Sequence, residues 1–207
     1  MLEPAGPSAG VVADLWWLML ALGTAVFVLV VALLAVGVVR SGRGDTGDWR
    51  SRSSWWLLGG GVALPSVVIT VVLVATVATM RALPDEAGAT PGLAIEVTGR
   101  QWQWDVVYPD HGVRSVDEVH LPAGEPVLLR LRSADVIHSF WVPALAGKMD
   151  ALPDHENTLI VEADEPGTYS GVCAEFCGVG HTAMRITVVV HDRAGFDNWI
   201  ETGALSG

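Results

Sequence analysis

Two long runs without a charged residue constrain this chain more than any other feature. Residues 15–39 give 25 uncharged positions in a row, and residues 55–80 give 26. About 20 residues of α-helix cross a hydrocarbon core, so each run is long enough to span a membrane. The first is too long for the apolar stretch of a secretory signal, and Arg40, Arg43, Arg50 and Arg52 follow it instead of preceding it. A transmembrane hairpin over 14–81 is expected, with helices at about 15–39 and 55–80 and Asp14 as N-cap of the first.

Basic residues set the orientation. The connection between the runs carries four arginines, counting Arg40 at its edge, against Asp45 and Asp48; the first 14 residues carry Glu3 and Asp14 and no Lys or Arg. The positive-inside bias places the connection in the cytoplasm and both termini outside. Trp16 and Trp17 fall where an outer aromatic belt belongs, and Trp49, Trp55 and Trp56 where an inner one does. Gly59, Gly60 and Gly61 form a smooth patch suited to close packing against another helix, and Pro65 is expected to kink the second helix.

Residues 1–13 read as an irregular tail and 82–91 as a linker. The remainder, 92–207, reads as β. Alternation puts Trp102, Trp104, Val106 and Tyr108 on one face, then Val127, Leu129 and Leu131, then Met184, Ile186, Val188 and Val190. Turn residues separate these segments, which together indicate an all-β sandwich or barrel. From Ala82 onward there are 19 acidic and 7 basic residues, a net charge of −12. Such a field repels nucleic acid and favours basic partners.

Both cysteines of the chain lie in one short stretch, Cys173-Ala-Glu-Phe-Cys177-Gly-Val-Gly-His181-Thr-Ala-Met184. Thiolate, imidazole and thioether are what soft or borderline metals select, copper above all. His138 is the best further ligand from elsewhere. A single-copper site uses one Cys, two His and a weak Met; a second thiolate suits two coppers bridged by sulfur, with a backbone carbonyl inside the loop as the remaining weak donor. Zinc held by two Cys and two His is the competing reading, and a disulfide is another.

This constellation resembles the binuclear copper domain of the cytochrome c oxidase subunit II family. The likeness runs through the two N-terminal membrane helices, Gly99-Arg-Gln-Trp-Gln-Trp104, Asp135-Val-Ile-His138-Ser-Phe-Trp-Val-Pro143, Lys148-Met-Asp150, Pro166-Gly-Thr-Tyr-Ser-Gly171 and the cysteine loop. It implies a helical hairpin followed by a cupredoxin-like domain, in a bacterial plasma membrane or equivalent respiratory membrane. It implies that Cys173 and Cys177 bridge two copper ions, that His138 and Met184 complete one, and that His181 and the Glu175 carbonyl complete the other. The Glu175 carboxylate would bind magnesium shared with subunit I. Trp102 would be the point where electrons arrive from cytochrome c, and Asp135 would belong to the acidic docking face. Partners would be subunit I, other oxidase subunits, cytochrome c and lipid. Quinol-oxidising relatives have lost the two cysteines, so their presence here favours cytochrome c.

The sequence departs from the family in places. No Glu precedes the second helix, where Asp48-Trp-Arg-Ser-Arg-Ser-Ser54 stands, and Pro153-Asp154-His155 replaces a common Pro-Gly-Arg. His111, His120, His155 and His191 match no ligand position and read as surface residues. A stand-alone membrane-anchored electron or copper carrier is the rival function, against which the glycine patch and Glu175 argue. A third reading is a structural membrane protein with a zinc- or disulfide-stapled ectodomain.

Overall fold

The computed structural model describes residues 3–42, 55–84 and 91–206. Two helices fill the uncharged runs: α1, Pro7–Gly42, and α2, Trp55–Ala82. The most apolar window of each has no residue buried within the structure, as membrane helices require when lipid is their solvent. Arg43, Asp45, Asp48, Trp49, Arg50 and Arg52, on which the orientation argument leans, lie outside the described residues.

α2 changes winding at the glycine run. Gly59–Ala63 is π-helical, with the Leu64 N–H donating to the Gly59 carbonyl. Pro65 follows at once; its ring has no N–H and crowds the carbonyl four residues back, at Gly61. A π-turn just ahead of the proline takes up that conflict, and three glycines oppose it with no side chains.

The chain divides into two compact units, Asp14–Ala82 and Met1–Ala13 together with Leu83–Gly207. The N-terminal stretch is therefore not the irregular tail expected from its Gly and Pro content. α1 begins at Pro7, where a missing N–H costs nothing, seven residues before Asp14. Ala5 donates to the Ala144 carbonyl at 2.8 Å and accepts from Asp164 N–H at 2.9 Å, and Ala9 donates to the Leu145 carbonyl at 3.2 Å. A Cβ on Gly6 would stand 2.2 Å from the Glu162 carbonyl oxygen, so only glycine lets this backbone lie so close.

The second unit is a sandwich of two five-stranded sheets. One has the order β3 (Val113–Val116), β2 (Gln103–Tyr108), β1 (Leu93–Arg100), β5 (Val127–Ser133), β8 (Asn157–Val161). The other runs β4 (Glu118–Pro122), β10 (Arg185–His191), β9 (Gly167–Cys173), β6 (His138–Trp141), β7 (Met149–Ala151). β1 pairs with β5, and β4 with β10, in parallel; the other pairs are antiparallel. The alternating residues point inward as read: Trp104, Val106, Tyr108, Val127, Leu129, Leu131, Met184, Ile186, Val188 and Val190 are all buried. Each such side chain contributes about 1.5–3 kcal/mol by leaving water. Trp102 breaks the alternation: the β1–β2 turn ends before β2 begins, and its indole is 40% exposed.

The closing helix α3, Arg193–Ser206, covers one end of the sandwich through Trp199, whose ring stacks on His120 at 3.8 Å. His120 is thus not a surface residue. It is buried; its ring nitrogens lie 2.7 Å from His191 Nε2 and 2.6 Å from Glu118 Oε1. Its backbone N–H donates to the Tyr108 hydroxyl, whose own proton goes to the His120 carbonyl. Val119 and Leu121 enter the core, so His120 lies on the other face of β4, where Trp199 of α3 covers it.

Burial lowers the His120 pKa, against the raising influence of Glu118. A base whose folded pKa lies below its unfolded value near 6.5 takes its proton first in the unfolded chain, so its neutral form stabilises the fold above that value and the benefit is lost on acidification. The thermal midpoint of the β-sandwich unit is therefore expected to fall between about pH 7.5 and pH 5.5, and more steeply in the parent than in His120→Gln. Equal slopes in the two would remove His120 as the cause.

Candidate metal centre

The centre is built where β9 ends and β10 begins. Cys173 closes β9, and its N–H donates to the Met184 carbonyl at 3.1 Å, pinning the two ends of the intervening loop together. Ala174 N–H donates to the Ser139 carbonyl and ties the loop to β6. Gly178, at φ +118°, reverses the chain, a conformation that costs a side-chain-bearing residue strain. A 3₁₀ turn, His181–Ala183, then presents His181 and delivers Met184 to the core.

His138 arrives from the start of β6 and is wholly buried. Its ring lies flat against β1: a Cβ on Gly99 would meet His138 Cδ2 at 2.9 Å and Cγ at 3.0 Å. Trp104 meets it edge-on, ring centroids 5.9 Å apart. Nε2 is taken by Asp135 Oδ1 at 2.9 Å, which leaves Nδ1 facing the cysteines.

The structure brings together every ligand expected from the sequence. Cys173 Sγ and Cys177 Sγ are unbonded and 3.7 Å apart. Cys173 Sγ stands 3.9 Å from His138 Nδ1 and 3.2 Å from the Glu175 carbonyl oxygen. Cys177 Sγ stands 3.7 Å from His181 Nδ1 and 3.8 Å from Met184 Sδ. Ligands bound at roughly 2.0–2.3 Å in tetrahedral array sit about 3.3–3.8 Å from one another. The observed separations are of that size: His138 and the Glu175 carbonyl gather at Cys173, and His181 and Met184 gather at Cys177. Zinc in a Cys₂His₂ set would leave the buried Met184 sulfur without a task. The donor set fits two coppers.

The surroundings favour a metal over free thiolates. Burial pushes the Cys177 thiol up to about 11, and its hydrogen bond to and charge repulsion from Cys173 act in the same direction. Metal binding must therefore expel protons, so affinity rises with pH.

Asp135 is exposed and also bound to the centre. Oδ2 accepts from Gln101 N–H at 2.8 Å, and Oδ1 accepts from Val136 N–H at 2.6 Å beside its His138 contact. Partial burial opposes ionisation, but the bonds from Gln101, His138 and Val136 outweigh it and hold the carboxyl below the usual carboxylate range. A carboxylate that fixes a ligand imidazole orients the ring and raises its basicity. The Glu175 carboxylate comes within 3.9 Å of Lys148 Nζ, which also lies 3.6 Å from Asp150.

Trp102 lies on the cysteine loop. Its Nε1–H donates to the Cys177 carbonyl at 3.2 Å, and a Cβ on Gly180 would fall 2.4 Å from its Cδ2. Val136, Ile137, Phe176 and Val179 are all exposed, Val179 at 92%. These four were not singled out from sequence. The available signal was apolar side chains placed among polar ligands, in loops with no core left to join.

A family model described as cytochrome c oxidase subunit II, periplasmic domain, matches residues 111–191. Cytochrome c oxidase subunit 2 of Alkalihalophilus pseudofirmus is 32% identical over 97% of this chain and 60% of its own length. The protein of the same name from Thermostichus vulcanus is 47% identical over 57% of this chain and 36% of its own length. The chain thus spans less than two thirds of these relatives. A quinol oxidase subunit 2 from Bacillus cereus is also similar, at 30% identity. Among solved structures, the periplasmic domain of subunit II of cytochrome oxidase from Bradyrhizobium japonicum superposes with a TM-score of 0.55 at 30% identity, covering 56% of this chain and 96% of that domain.

Proposed function

The chain belongs to the cytochrome c oxidase subunit II family, and from that premise we propose that it is the electron-accepting subunit of a haem–copper oxidase. In this reading it takes electrons one at a time from cytochrome c and delivers them to haem in subunit I, where oxygen is reduced to water with proton pumping. The observation that carries the proposal is the pair of buried cysteines flanked by His138, His181, Met184 and the Glu175 carbonyl, all within 3.2–3.9 Å of one of the sulfurs. Two bound coppers supply a one-electron relay whose charge is shared across both metals.

The protein's own residues do the rest. Cys173 and Cys177 would hold the coppers together with His138, Met184, His181 and the Glu175 carbonyl. Asp135 holds His138 in one tautomer and one orientation. Trp104, Phe140, Ile186 and the other buried neighbours keep water out. Trp102 covers the outer side of Cys177 and touches its carbonyl, so an electron reaching the indole is one hydrogen bond from the ligand loop. The apolar ring of Val136, Ile137, Phe176 and Val179 gives a haem edge a dry contact, and the acidic surface beyond it steers a basic cytochrome. The Glu175 carboxylate is assigned to magnesium at the boundary with subunit I. The domain faces the periplasm or cell exterior, and the π-turn glycines of α2 face a neighbouring membrane helix.

Purification of the tagged full chain from its own membranes in mild detergent tests this. The expected result is a haem-bearing larger subunit in stoichiometric amount, and rapid oxidation of added reduced cytochrome c with a rate that falls as salt rises. A chain that purifies alone with copper bound would instead be a stand-alone carrier. Oxidation of quinol but not of cytochrome c would place it with the quinol-oxidising relatives.

A further inference from the structure

Gln101 is the residue on which both halves of the centre converge, and it lies outside the ligand set. Its backbone N–H donates to Asp135 Oδ2 at 2.8 Å, and Asp135 in turn holds His138. Its side-chain Nε2 donates to the Cys177 carbonyl at 2.7 Å, the shortest contact that carbonyl receives; Trp102 Nε1 adds a second at 3.2 Å. Gly178, next in the chain, takes φ +118°, and a Cβ there would crowd Gln101 Nε2 at 3.0 Å. One side chain and its own amide thus bridge the β1–β2 turn, the β5–β6 connection and the β9–β10 loop.

We propose that Gln101 is a positioning residue for the copper pair, fixing the Cys177 end of the loop against the Asp135–His138 end so that all donors face one point before metal arrives. The inference rests on the two-copper reading above. Physically, a loop closed by one reversing glycine has little of its own to hold it. A hydrogen bond to a carbonyl bonded directly to the Gly178 nitrogen restricts the peptide that follows a bridging sulfur. The bond also draws electron density from that peptide, which favours the electron-richer, reduced state of the centre.

The test compares full-length parent, Gln101→Leu and Gln101→Glu in detergent. Glu keeps the size and shape of the side chain but, ionised, has no proton to give to the Cys177 carbonyl; all three keep the backbone N–H to Asp135. In the metal-free chains, deuterium uptake of the loop amides from Cys177 to Ala183 is expected to be faster in both variants. In the copper-loaded chains, transfer of copper to a copper(I) chelator is expected to be about three- to tenfold faster, the effect of losing one ordinary neutral hydrogen bond, and the reduction potential to fall. Far-ultraviolet circular dichroism identifies any variant that fails to fold, and the other then carries the test. Unchanged deuterium uptake together with unchanged copper loss and potential would overturn the proposal. A parent chain that takes up no copper pair would overturn the reading beneath it, and the metal-free exchange result would still decide whether Gln101 holds the loop.

Discussion

Cys173→Ser or Cys177→Ser is expected to abolish the two-copper centre. In the proposed centre both sulfurs would serve both metals, so removing either would take a ligand from each. A hydroxyl neither ionises at neutral pH nor bridges as a thiolate does. Loss of an outer hydrogen-bond partner alone costs roughly 10–100-fold in metal affinity; loss of a shared ligand is expected to exceed that range for the pair. Met184→Leu is expected to behave differently. The thioether is a weak ligand that tunes the site, and Leu fills the same buried space, so copper stays and the potential shifts. Copper content of the purified chains, measured beside the absorption of the thiolate–copper bands, checks both. Two coppers retained in Cys173→Ser, or none in Met184→Leu, would contradict the assignment of roles.

Trp102→Ala is expected to slow the arrival of electrons by an order of magnitude or more while leaving docking and copper content close to normal. The indole is the outermost group hydrogen-bonded to the ligand loop, and its removal opens a gap over Gly178 and Gly180 that water will fill. Trp102→Phe separates two contributions, since it keeps a ring over the loop and loses only the Nε1–H. Flash-induced reduction of the centre by bound cytochrome c reads the transfer step. The dependence of the second-order rate on ionic strength reads docking, because the Debye length shrinks from ~10 Å at 0.1 M to ~3 Å at 1 M. A transfer rate in Trp102→Ala equal to that of the parent would remove the indole from the path. Asp135→Asn is now expected to disturb the centre itself as well as docking, because the lost charge sits on the group that orients His138.

Much of this was legible in the chain. Charge-free runs have one physical outcome, and the two helices follow. Strict alternation on β2, β5 and β10 reported which side chains face the core, since one face of each strand is buried. The ligands were legible because thiolate, imidazole and thioether rarely coincide in twelve residues without a metal. What escaped sequence reasoning has a common cause. β3, β4, β6 and β7 are three to five residues long, too short for a period to show, and are held by their neighbours in the sheets. The N-terminal stretch is pinned by backbone bonds at Ala5 and Ala9, which carry no side-chain signature. His120 and Asp135 are polar residues whose partners lie far along the chain: His191 on β10 for one, Gln101 in the β1–β2 turn for the other. Periodicity sees a residue's neighbours in sequence, and these contacts join strands and loops far apart in the chain.

The most direct measurement of the central claim is metal analysis with electron paramagnetic resonance on the full-length chain, loaded with copper and oxidised. The account predicts two coppers per chain and one unpaired electron shared by both, seen as a hyperfine pattern from two equivalent nuclei. One copper per chain with hyperfine splitting from a single nucleus, or zinc in its place, would contradict it.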